Sequence, residues 1–454
     1  MKAAGAATAT DDDVLRSALA AHHAHSADQI ETVVADLIRE GALAAGTRLP
    51  TIRDLAHGSD LSTRAIVSAW SSLRGDGLIE TNRRGGTVVV DTASSARPGW
   101  ADRDLLTGSP DYALQPDLAD AMLAGVRSDH LNRPRRDYIT DRLREAVVHT
   151  WPFAAESFVA AGGGSEGLLL AVEAAASPGE LVAVEEPVIP GFLDTLEDVG
   201  YRVVGIRADE DGVCARSLAE VLALQPAVIV LQPEGAYSAD GTLSASRTDE
   251  IAEVLAAADT RPWIVEDDAV GPLADEQAPS LGARFPDQTV RVRSYCKAYG
   301  MDIKTCVIGG SAHLIDRAIR LRVHGIAANS RILQNALAHL VTDAAADAVV
   351  DTARTRYAGR RNALRSALAD RGVTAHAGPN SLVVWVEVRD ETGALLELAR
   401  RGINVGSGAR SYVAGGGGLL RIAVPQLPDA PAAVAELADA VAGAAGVVHR
   451  EFLD

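Results

Sequence analysis

Hydrophobic and polar positions follow two different patterns along the 454 residues, and these patterns divide the chain into two folded parts. Residues 27–90 place apolar side chains at helical spacing and then in two short strand-like runs. Residues 105–454 alternate short β-branched runs with helical stretches rich in Ala and Leu. Two stretches lack such periodicity. Residues 1–26 are predicted to be a flexible tail or a loose helix, and the Ser, Pro and Gly residues of 91–104 predict a linker.

The first folded part is predicted to contain three helices and a hairpin. Thr51 can cap a short second helix, and a third helix opens at Ser62. The runs 77–81 and 86–90 predict two strands around a turn at 82–85. Helix, short turn, helix and hairpin in this order predict a winged helix-turn-helix. The first helix has its apolar residues on one face: Ile30, Val33, Val34, Leu37 and Ile38.

The second folded part is predicted to be an α/β domain. Apolar runs separated by helical stretches are typical of a largely parallel sheet with helices on both faces. Ligands of such sheets bind at the loops beyond the strand ends. The strand-like runs are Ser157–Ala160, Leu181–Val184, Ala227–Leu231, Trp263–Val265, Thr289–Arg293 and Thr305–Ile308.

A lysine, Lys297, stands between the strand-like runs 289–293 and 305–308, with small and hydroxyl residues around it. A lysine is costly to bury, and a desolvated amine is a better nucleophile towards a carbonyl compound. This stretch therefore has two interpretations, a Schiff-base lysine at the mouth of a core or an ordinary surface lysine on a turn.

Three other polar features lie near predicted strand ends. Gly162–Gly164 and Ser165 precede a helical stretch, where backbone N–H groups can approach a phosphate, although a tight turn is the alternative. Asp267 follows an apolar run, where its carboxylate can hold a protonated pyridine nitrogen or cap a helix. Arg421 lies in the apolar run 419–424, where it can bind a carboxylate or form a salt bridge on an edge strand.

Four stretches of the first part stand in a familiar order: Gly46–Ala56, Leu61–Ile66, Gly77–Glu80 and Gly85–Thr87. Together they resemble the winged helix-turn-helix of the GntR family of DNA-binding regulators, over residues 28–90. A winged helix used for protein contacts is the alternative. The resemblance implies three groups of DNA-binding residues: Arg48, Thr51 and Arg53 on phosphates; Ser62, Thr63, Arg64 and Ser68 on the helix in the major groove; and Arg83, Arg84 and Gly85 on the wing.

The second part has its own ordered set of motifs: a glycine loop at 162–167, Asp267 after an apolar strand, Ser294 three positions before Lys297, and the late Arg421. This order resembles fold-type I, class I aminotransferases from about residue 104 onwards. The residues Asp104–Asp111 resemble the segment that opens this domain in MocR-type regulators, which join a GntR winged helix to an aminotransferase-like domain. The resemblance implies fold type I of the pyridoxal-phosphate-dependent transferases, with a mostly parallel α/β/α sheet and a small C-terminal α+β subdomain.

Site roles follow from this resemblance. Lys297 would form a Schiff base with pyridoxal 5′-phosphate, and Asp267 would pair with the ring nitrogen. Arg421 would bind the carboxylate of an amino-acid-like effector. Because the related enzymes place their sites at a dimer interface, the resemblance also implies a homodimer, head-to-tail. The phosphate would be held by Gly163, Gly164, Ser165, Ser294 and Lys304.

Several positions depart from the pattern of the related enzymes. Ile189 stands where an aromatic side chain usually stacks on the ring, and it can only pack there. The Asn that usually contacts the ring hydroxyl is missing, and Tyr237 or Ser238 are the candidates to replace it. Ala269 replaces a common Tyr or His, and Lys304 replaces the phosphate-binding Arg. A site with these changes is expected to bind the cofactor less tightly and to be a poor catalyst.

The composition limits which partners the protein is expected to bind and in which cellular compartment it is expected to work. A net charge of −18 argues against bulk attraction to nucleic acid or to an anionic membrane, but leaves room for a local basic face. The three cysteines show no metal-ligand spacing and are expected to be free thiols in a reducing compartment. We find no secretory signal and no apolar run long enough to span a bilayer, so a cytoplasmic protein is expected.

Three hypotheses follow. The first is a MocR-type transcriptional regulator that binds operator DNA and senses pyridoxal phosphate or its adduct with an amino compound. The second is a working aminotransferase, or another pyridoxal enzyme, that retains a DNA tether. The third is a regulator whose degenerate pocket no longer binds pyridoxal phosphate. The altered ring partners favour a regulator, with residual transaminase activity as a further outcome.

Overall fold

The computed structural model describes residues 11–22, 24–39, 42–44, 46–57, 59, 61–75, 78–82, 86–89, 99–134, 136–323, 325 and 328–447. The chain divides into two compact units, Met1–Asp102 and Arg103–Asp454. The division falls inside the predicted linker 91–104, whose residues 91–98 lie outside the described residues.

The smaller unit has the helices and the hairpin that its sequence predicts. Strands β1 and β2 pair antiparallel, with Ile79 opposite Val89. The apolar face of each helix turns inwards, and Ile30, Ile66 and Trp70 are fully buried in one core. The described elements are α1 (Asp11–Ala21), α2 (Ala27–Arg39), α3 (Ile52–His57), α4 (Thr63–Gly75), β1 (Ile79–Asn82) and β2 (Gly86–Val89).

Of the two expectations for residues 1–26, a flexible tail or a loose helix, helix α1 confirms a helix over Asp11–Ala21 and corrects the flexible tail there, while residues 1–10 lie outside the described residues. Leu15 and Leu19, one helical turn apart, are buried in the core of the smaller unit. Arg16 reinforces this packing, because its Nη2 donates a hydrogen bond of 3.1 Å to the carbonyl oxygen of Asp54 in α3. The apolar spacing within α1 was hidden by the Ala-rich, acidic composition of the segment.

The larger unit is built on a seven-stranded sheet with the order β3-β11-β10-β9-β8-β4-β5. All six predicted strands are present, and every neighbouring pair from β10 to β5 runs parallel. Strand β11 runs antiparallel to both of its neighbours. The sheet is therefore mostly parallel, as predicted. Its strands are β3 (Ser157–Ala161), β4 (Leu181–Glu185), β5 (Arg202–Ile206), β8 (Val228–Leu231), β9 (Trp263–Asp268), β10 (Thr289–Ser294) and β11 (Cys306–Gly310), while β6 (Ala208–Asp209) and β7 (Gly212–Val213) form a small separate pair.

Helices cover both faces of this sheet. Val182 and Val184 of β4 enter one core, whereas Ala183 between them enters the other, because successive side chains of a strand point to opposite faces. Buried apolar strands on both faces explain the near-continuous hydrophobic runs. The helices up to the end of this sheet are α5 (Ala119–Val126), α6 (Asp141–Val148), α7 (Gly164–Ala175), α8 (Phe192–Val199), α9 (Ala215–Leu222), α10 (Ala245–Ala257), α11 (Cys296–Tyr299), α12 (Ala312–Arg322) and α13 (Arg331–Thr342).

The C-terminal part of the larger unit is the predicted small α+β subdomain. It contains an antiparallel sheet with the order β12-β13-β15-β14, so β15 is an inner strand. No helix within the described ranges is long and apolar enough to cross a membrane. The elements are α14 (Ala344–Ala369), β12 (Ala375–His376), β13 (Val383–Glu387), α15 (Glu391–Ala399), β14 (Gly406–Ser407), β15 (Leu419–Ala423) and α16 (Pro431–Ala445).

Candidate functional site

A cavity of about 300 Å³ lies where the parallel strands of the larger sheet end. Eight of the ten residues predicted for the cofactor and the effector line it, and they come from separate loops that the sheet brings together. These eight are Gly163, Gly164, Ser165, Ile189, Asp267, Ser294, Lys297 and Lys304. The wall also contains Gly162, Glu166, Leu168, Ala269, Cys296 and Met301.

The glycine loop forms a cradle at the N-terminus of α7. Gly163 has a φ of +124°, a conformation that strongly favours glycine, and α7 begins at the next residue. A Cβ atom on Gly164 would lie 2.9 Å from Cβ of Ser294, so a side chain there would collide. The first N–H groups of a helix are without intrahelical acceptors, and with the helix dipole they favour an anion.

Asp267 is a buried carboxyl group near the carboxyl end of β9 that faces the cavity. Burial raises the pKa of Asp267 to about 7, the carboxylate of Asp268 adds to the rise, and Lys297 and Arg291 oppose it. Asp267 does not cap a helix. The neighbouring Asp268 fixes the turn after β9, because its Oδ1 accepts the N–H of Gly271 at 2.9 Å.

Lys297 lies in the short helix α11, which corrects the expectation that it stands on a turn. Its side chain is half-buried, and its Nζ lies 3.5 Å from the carbonyl oxygen of Gly108. The amine therefore lies inside the site rather than on an open surface loop. Its positive charge acts to lower the pKa of Asp267 against the larger effect of burial.

Lys304 adds a second cation to the wall of the cavity. Its backbone is left-handed, with a φ of 35°, a region that residues other than glycine rarely adopt. Such strained residues concentrate at ligand sites. Ile189 and Ala269 supply apolar wall where the related enzymes have larger ring partners.

Two predicted residues, Tyr237 and Arg421, are absent from the residues that line the cavity. Both are buried, and burial lowers the pKa of Arg421 while Tyr237 opposes that change. Arg421 lies on the inner strand β15, which excludes an edge-strand arginine. Its buried Nε has no hydrogen-bond partner among the described residues. A buried donor of this kind suits an anionic ligand.

A buried ionic network, missed at the sequence level, lies on the opposite face of β9 and β10. Arg291 is fully buried and forms ion pairs with Glu266 and Asp268, each at 3.0 Å, and with Glu234. Arg293 contacts Asp268 at 2.6 Å. Burial acts to raise the pKa of Asp268, but the two guanidinium groups outweigh it and hold that pKa at about 2. Charges at alternate positions of the run 289–293 were the available signal.

A second buried carboxyl group, Glu185, also escaped the sequence analysis. It ends β4, and its Oε2 accepts the N–H of Gln232 at 2.6 Å. Gln232 in turn donates from Nε2 to the carbonyl oxygens of Glu185 and Pro187, at 3.2 and 2.9 Å, so it holds the turn that leads to Ile189. Burial raises the pKa of Glu185 to about 8, and Asp267 adds to the rise.

The smaller unit presents most of the predicted DNA-binding residues to solvent. Thr51 caps α3 through the N–H of Asp54 at 3.2 Å, and Ser62 caps α4 through the N–H of Ala65 at 3.1 Å. The wing residues Arg83, Arg84 and Gly85 lie outside the described residues. The exposed predicted residues are Arg48, Thr51, Arg53, Ser62, Thr63, Arg64 and Ser68.

Comparison with known proteins assigns both units. Residues 104–441 match the family model "Aminotransferase class I and II", and residues 26–89 match "Bacterial regulatory proteins, gntR family". The vitamin B6 salvage pathway transcriptional repressor PtsJ of Salmonella typhimurium is 25% identical over 89% of this chain and 95% of its own length. The pyridoxine biosynthesis transcriptional regulator PdxR of Corynebacterium glutamicum is 24% identical over 83% of this chain and 86% of its own length.

Solved structures agree on the fold of the larger unit. LysN, the α-aminoadipate aminotransferase of Thermus thermophilus, superposes with a TM-score of 0.68 at 18% identity, covering 83% of this chain and 97% of LysN. Both halves of the predicted MocR architecture are therefore confirmed. The chain belongs to the aminotransferase class I and II family and has a module of the gntR family of bacterial regulatory proteins at its N-terminus.

Proposed function

We propose that this protein is a DNA-binding transcriptional regulator whose aminotransferase-like unit senses pyridoxal 5′-phosphate or its adduct with an amino compound. One observation carries the proposal. A lysine amine, a buried carboxyl group and a glycine cradle at a helix N-terminus converge on one cavity, at Lys297, Asp267 and Gly163–Gly164. The gntR-family module supplies the means to bind DNA.

The residues present fit a phosphorylated pyridine aldehyde. Pyridoxal phosphate would supply an aldehyde for an amine and a ring that withdraws electrons. The cradle at Gly163 and Gly164, with Lys304, would hold its phosphate. Asp267 would pair with a protonated ring nitrogen, and Lys297 would bind the aldehyde carbon. LysN was solved in complex with N-(5′-phosphopyridoxyl)-L-leucine, in which a phosphorylated pyridine is joined to an amino acid.

The residues around the same cavity favour a protein that senses the cofactor over one that catalyses transamination. Ile189 could pack against a bound ring but not stack with it as an aromatic side chain would, and the side chain of Ala269 offers no hydrogen bond. Lys304 binds phosphate as a point charge, without the fork of an arginine. Fewer fixed partners around the ring mean less electrostatic preorganisation for catalysis. PtsJ and PdxR, by their names, regulate vitamin B6 pathways, which fits a regulator that reads a B6 vitamer.

The effector is proposed to be an amino compound with a carboxylate. Arg421 is a buried guanidinium whose Nε lacks a partner among the described residues, and no carboxylate lies within ion-pair distance of it in that part of the chain. An incoming carboxylate could therefore accept a hydrogen bond from this Nε without displacing another group.

The working form is proposed to be a cytoplasmic homodimer, head-to-tail. Two copies of the winged helix suit an operator with two half-sites. Helix α5 exposes Leu123 and Val126 at 46% and 47%, apolar surface that a second copy would cover. Analytical ultracentrifugation of the full chain measures the oligomeric state directly.

An absorbance spectrum tests the cofactor. We expect the purified full chain, mixed with pyridoxal 5′-phosphate and desalted, to keep a visible absorbance band that Lys297→Ala lacks. A chain that stays colourless overturns the proposed cofactor and leaves a regulator with a degenerate pocket. Steady conversion of an amino acid and an oxo-acid would identify a working aminotransferase instead.

A further inference from the structure

The first residues of the larger unit, 103–111, form a segment that we call the entry segment, because it directly follows the linker. Its backbone pairs with the sheet of the C-terminal subdomain. The N–H of Ala423 donates to the carbonyl oxygen of Leu105 at 2.9 Å, and Leu105 also pairs with Val405. Leu105 is fully buried. The entry segment is therefore attached to β15, the strand that carries Arg421.

One side chain, Gln426, ties the entry segment down on both sides of a turn. Its Oε1 accepts the N–H of Asp104 at 3.1 Å, and its Nε2 donates to the carbonyl oxygen of Ser109 at 3.4 Å. Its own carbonyl oxygen accepts Nη1 of Arg103 at 3.2 Å. Within the turn, the carboxylate of Asp104 accepts the N–H of Thr107 at 2.7 Å.

The far end of the entry segment is anchored to the same corner of the fold. Arg360 of α14 binds the carboxylate of Asp111 at 2.9 Å and also donates to the carbonyl oxygen of Pro425, the residue before Gln426. The segment between these anchors therefore moves with the corner at 425–426.

The middle of the entry segment touches the lysine of the cavity. Gly108, with a φ of +72°, turns its carbonyl oxygen to within 3.5 Å of Nζ of Lys297. When an amine condenses with an aldehyde, its nitrogen bonds to the aldehyde carbon, and the carbonyl oxygen leaves as water with two hydrogens from nitrogen. Condensation at Lys297 would thus leave Nζ with at most one hydrogen, fixed in the plane of the new double bond, and would alter its contact with Gly108.

We propose that the entry segment transmits the state of the cavity to the linker, with Gln426 as the positioning residue. Condensation at Lys297 would alter its contact with Gly108, and a carboxylate on Arg421 would act on β15, two residues from the attachment of Leu105. Both events act on the residues where the linker ends. The inference rests on the proposed function and names the route by which the cofactor site alters DNA affinity.

The test compares full-length Gln426→Ala with the wild-type chain, using pyridoxal 5′-phosphate and a duplex selected by the wild-type chain from a random library. We expect the variant to take up the cofactor and to bind the duplex without it as the wild type does. The cofactor should change wild-type DNA affinity by a factor on the order of 5–150. In the variant this factor should fall below about two.

Two further variants sharpen the outcome. Gln277→Ala removes an exposed side chain that also donates to a main-chain carbonyl, at 3.0 Å to Thr150, and should respond like the wild type. Gln426→Glu keeps the acceptor for Asp104 but loses the donor to Ser109, so its response should be intermediate. A full wild-type response in a folded Gln426→Ala or Gln426→Glu overturns the inference. A wild-type chain with no response overturns the proposed function itself.

Discussion

The substitution Asp267→Asn separates the effect of the buried carboxylate on the stability of the fold from its effect on ligand affinity. Asp267 is only 5% exposed, and the negative charge of Asp268 further disfavours its ionised form. Asparagine has nearly the same shape but no charge. We expect the cofactor-free variant to be more stable than the wild type at pH 8. We also expect it to bind pyridoxal 5′-phosphate more weakly, because a neutral amide cannot form an ion pair with a protonated ring nitrogen.

The size of the effect follows from the pKa of Asp267, which burial raises from 3.8 to about 7. The folded chain therefore holds this proton more tightly than the unfolded chain does. The stabilising contribution is fully present below about pH 4 and is lost as pH rises to about 7, at about 1.36 kcal/mol per pH unit. Between pH 5.5 and pH 8 the advantage of the variant should grow by about 2 kcal/mol.

Urea denaturation of the full cofactor-free chain at both pH values measures this difference. Asp287→Asn, at an exposed position, is the matched control and should change little at either pH. The reasoning is refuted if Asp267→Asn is less stable than the wild type at pH 8, or if its advantage is the same at the two pH values. Unchanged affinity for pyridoxal 5′-phosphate would remove Asp267 from the ligand site.

Other predictions address the rest of the molecule. Arg291→Met leaves the buried carboxylates of Glu234 and Glu266 without their cation, and Asp268 with Arg293 alone. It should lower the free energy of unfolding by about 3–5 kcal/mol, whereas Arg284→Met, at an exposed ion pair, should change it by less than about 1 kcal/mol. Gly164→Ala forces a Cβ into contact at 2.9 Å and should cost about 1–3 kcal/mol of stability and weaken phosphate binding, as a titration with inorganic phosphate would show. Arg421→Lys should keep the absorbance band but weaken the response to a carboxylate effector, because it loses the forked donors. Arg53→Ala should lower DNA affinity for all sequences alike and reduce the salt slope by about one, as titrations at several salt concentrations would show.

Much of the fold could be predicted because its determinants are local. The strands β4 and β8 are buried on both faces, so 181–184 and 228–231 appear as uninterrupted apolar runs. The packing of helix α1 into the core was missed because its two core residues, Leu15 and Leu19, stand among alanines and acids that indicate a solvated segment. Their burial depends on the surface of α2, which no local pattern of residues 1–26 reveals.

In the candidate site, too, features set by local sequence could be predicted, whereas features set by tertiary packing could not. Gly163, Asp267 and Lys297 were found because each stands at a strand end or a helix start, where the chain order predicts a ligand. The network around Arg291 was not found, because charged residues that pair across neighbouring strands are far apart in sequence. Strand register, with Arg291 opposite Glu266, brings them together.

The sequence also could not predict that Tyr237 and Arg421 lie outside the lining of the cavity. A motif order fixes which residues approach a ligand site, but the depth of each side chain depends on packing between the large sheet and the C-terminal subdomain. The unpartnered Nε of Arg421 could be recognised only once the surrounding residues were in place.

The measurement that tests the central claim most directly is DNA affinity with and without pyridoxal 5′-phosphate, for the wild-type chain and for Lys297→Ala, at one stated salt concentration. Fluorescence anisotropy with the library-selected duplex provides the dissociation constants. The account predicts a cofactor-dependent change of about fivefold or more in the wild type and none in Lys297→Ala. The same change in both proteins would contradict it.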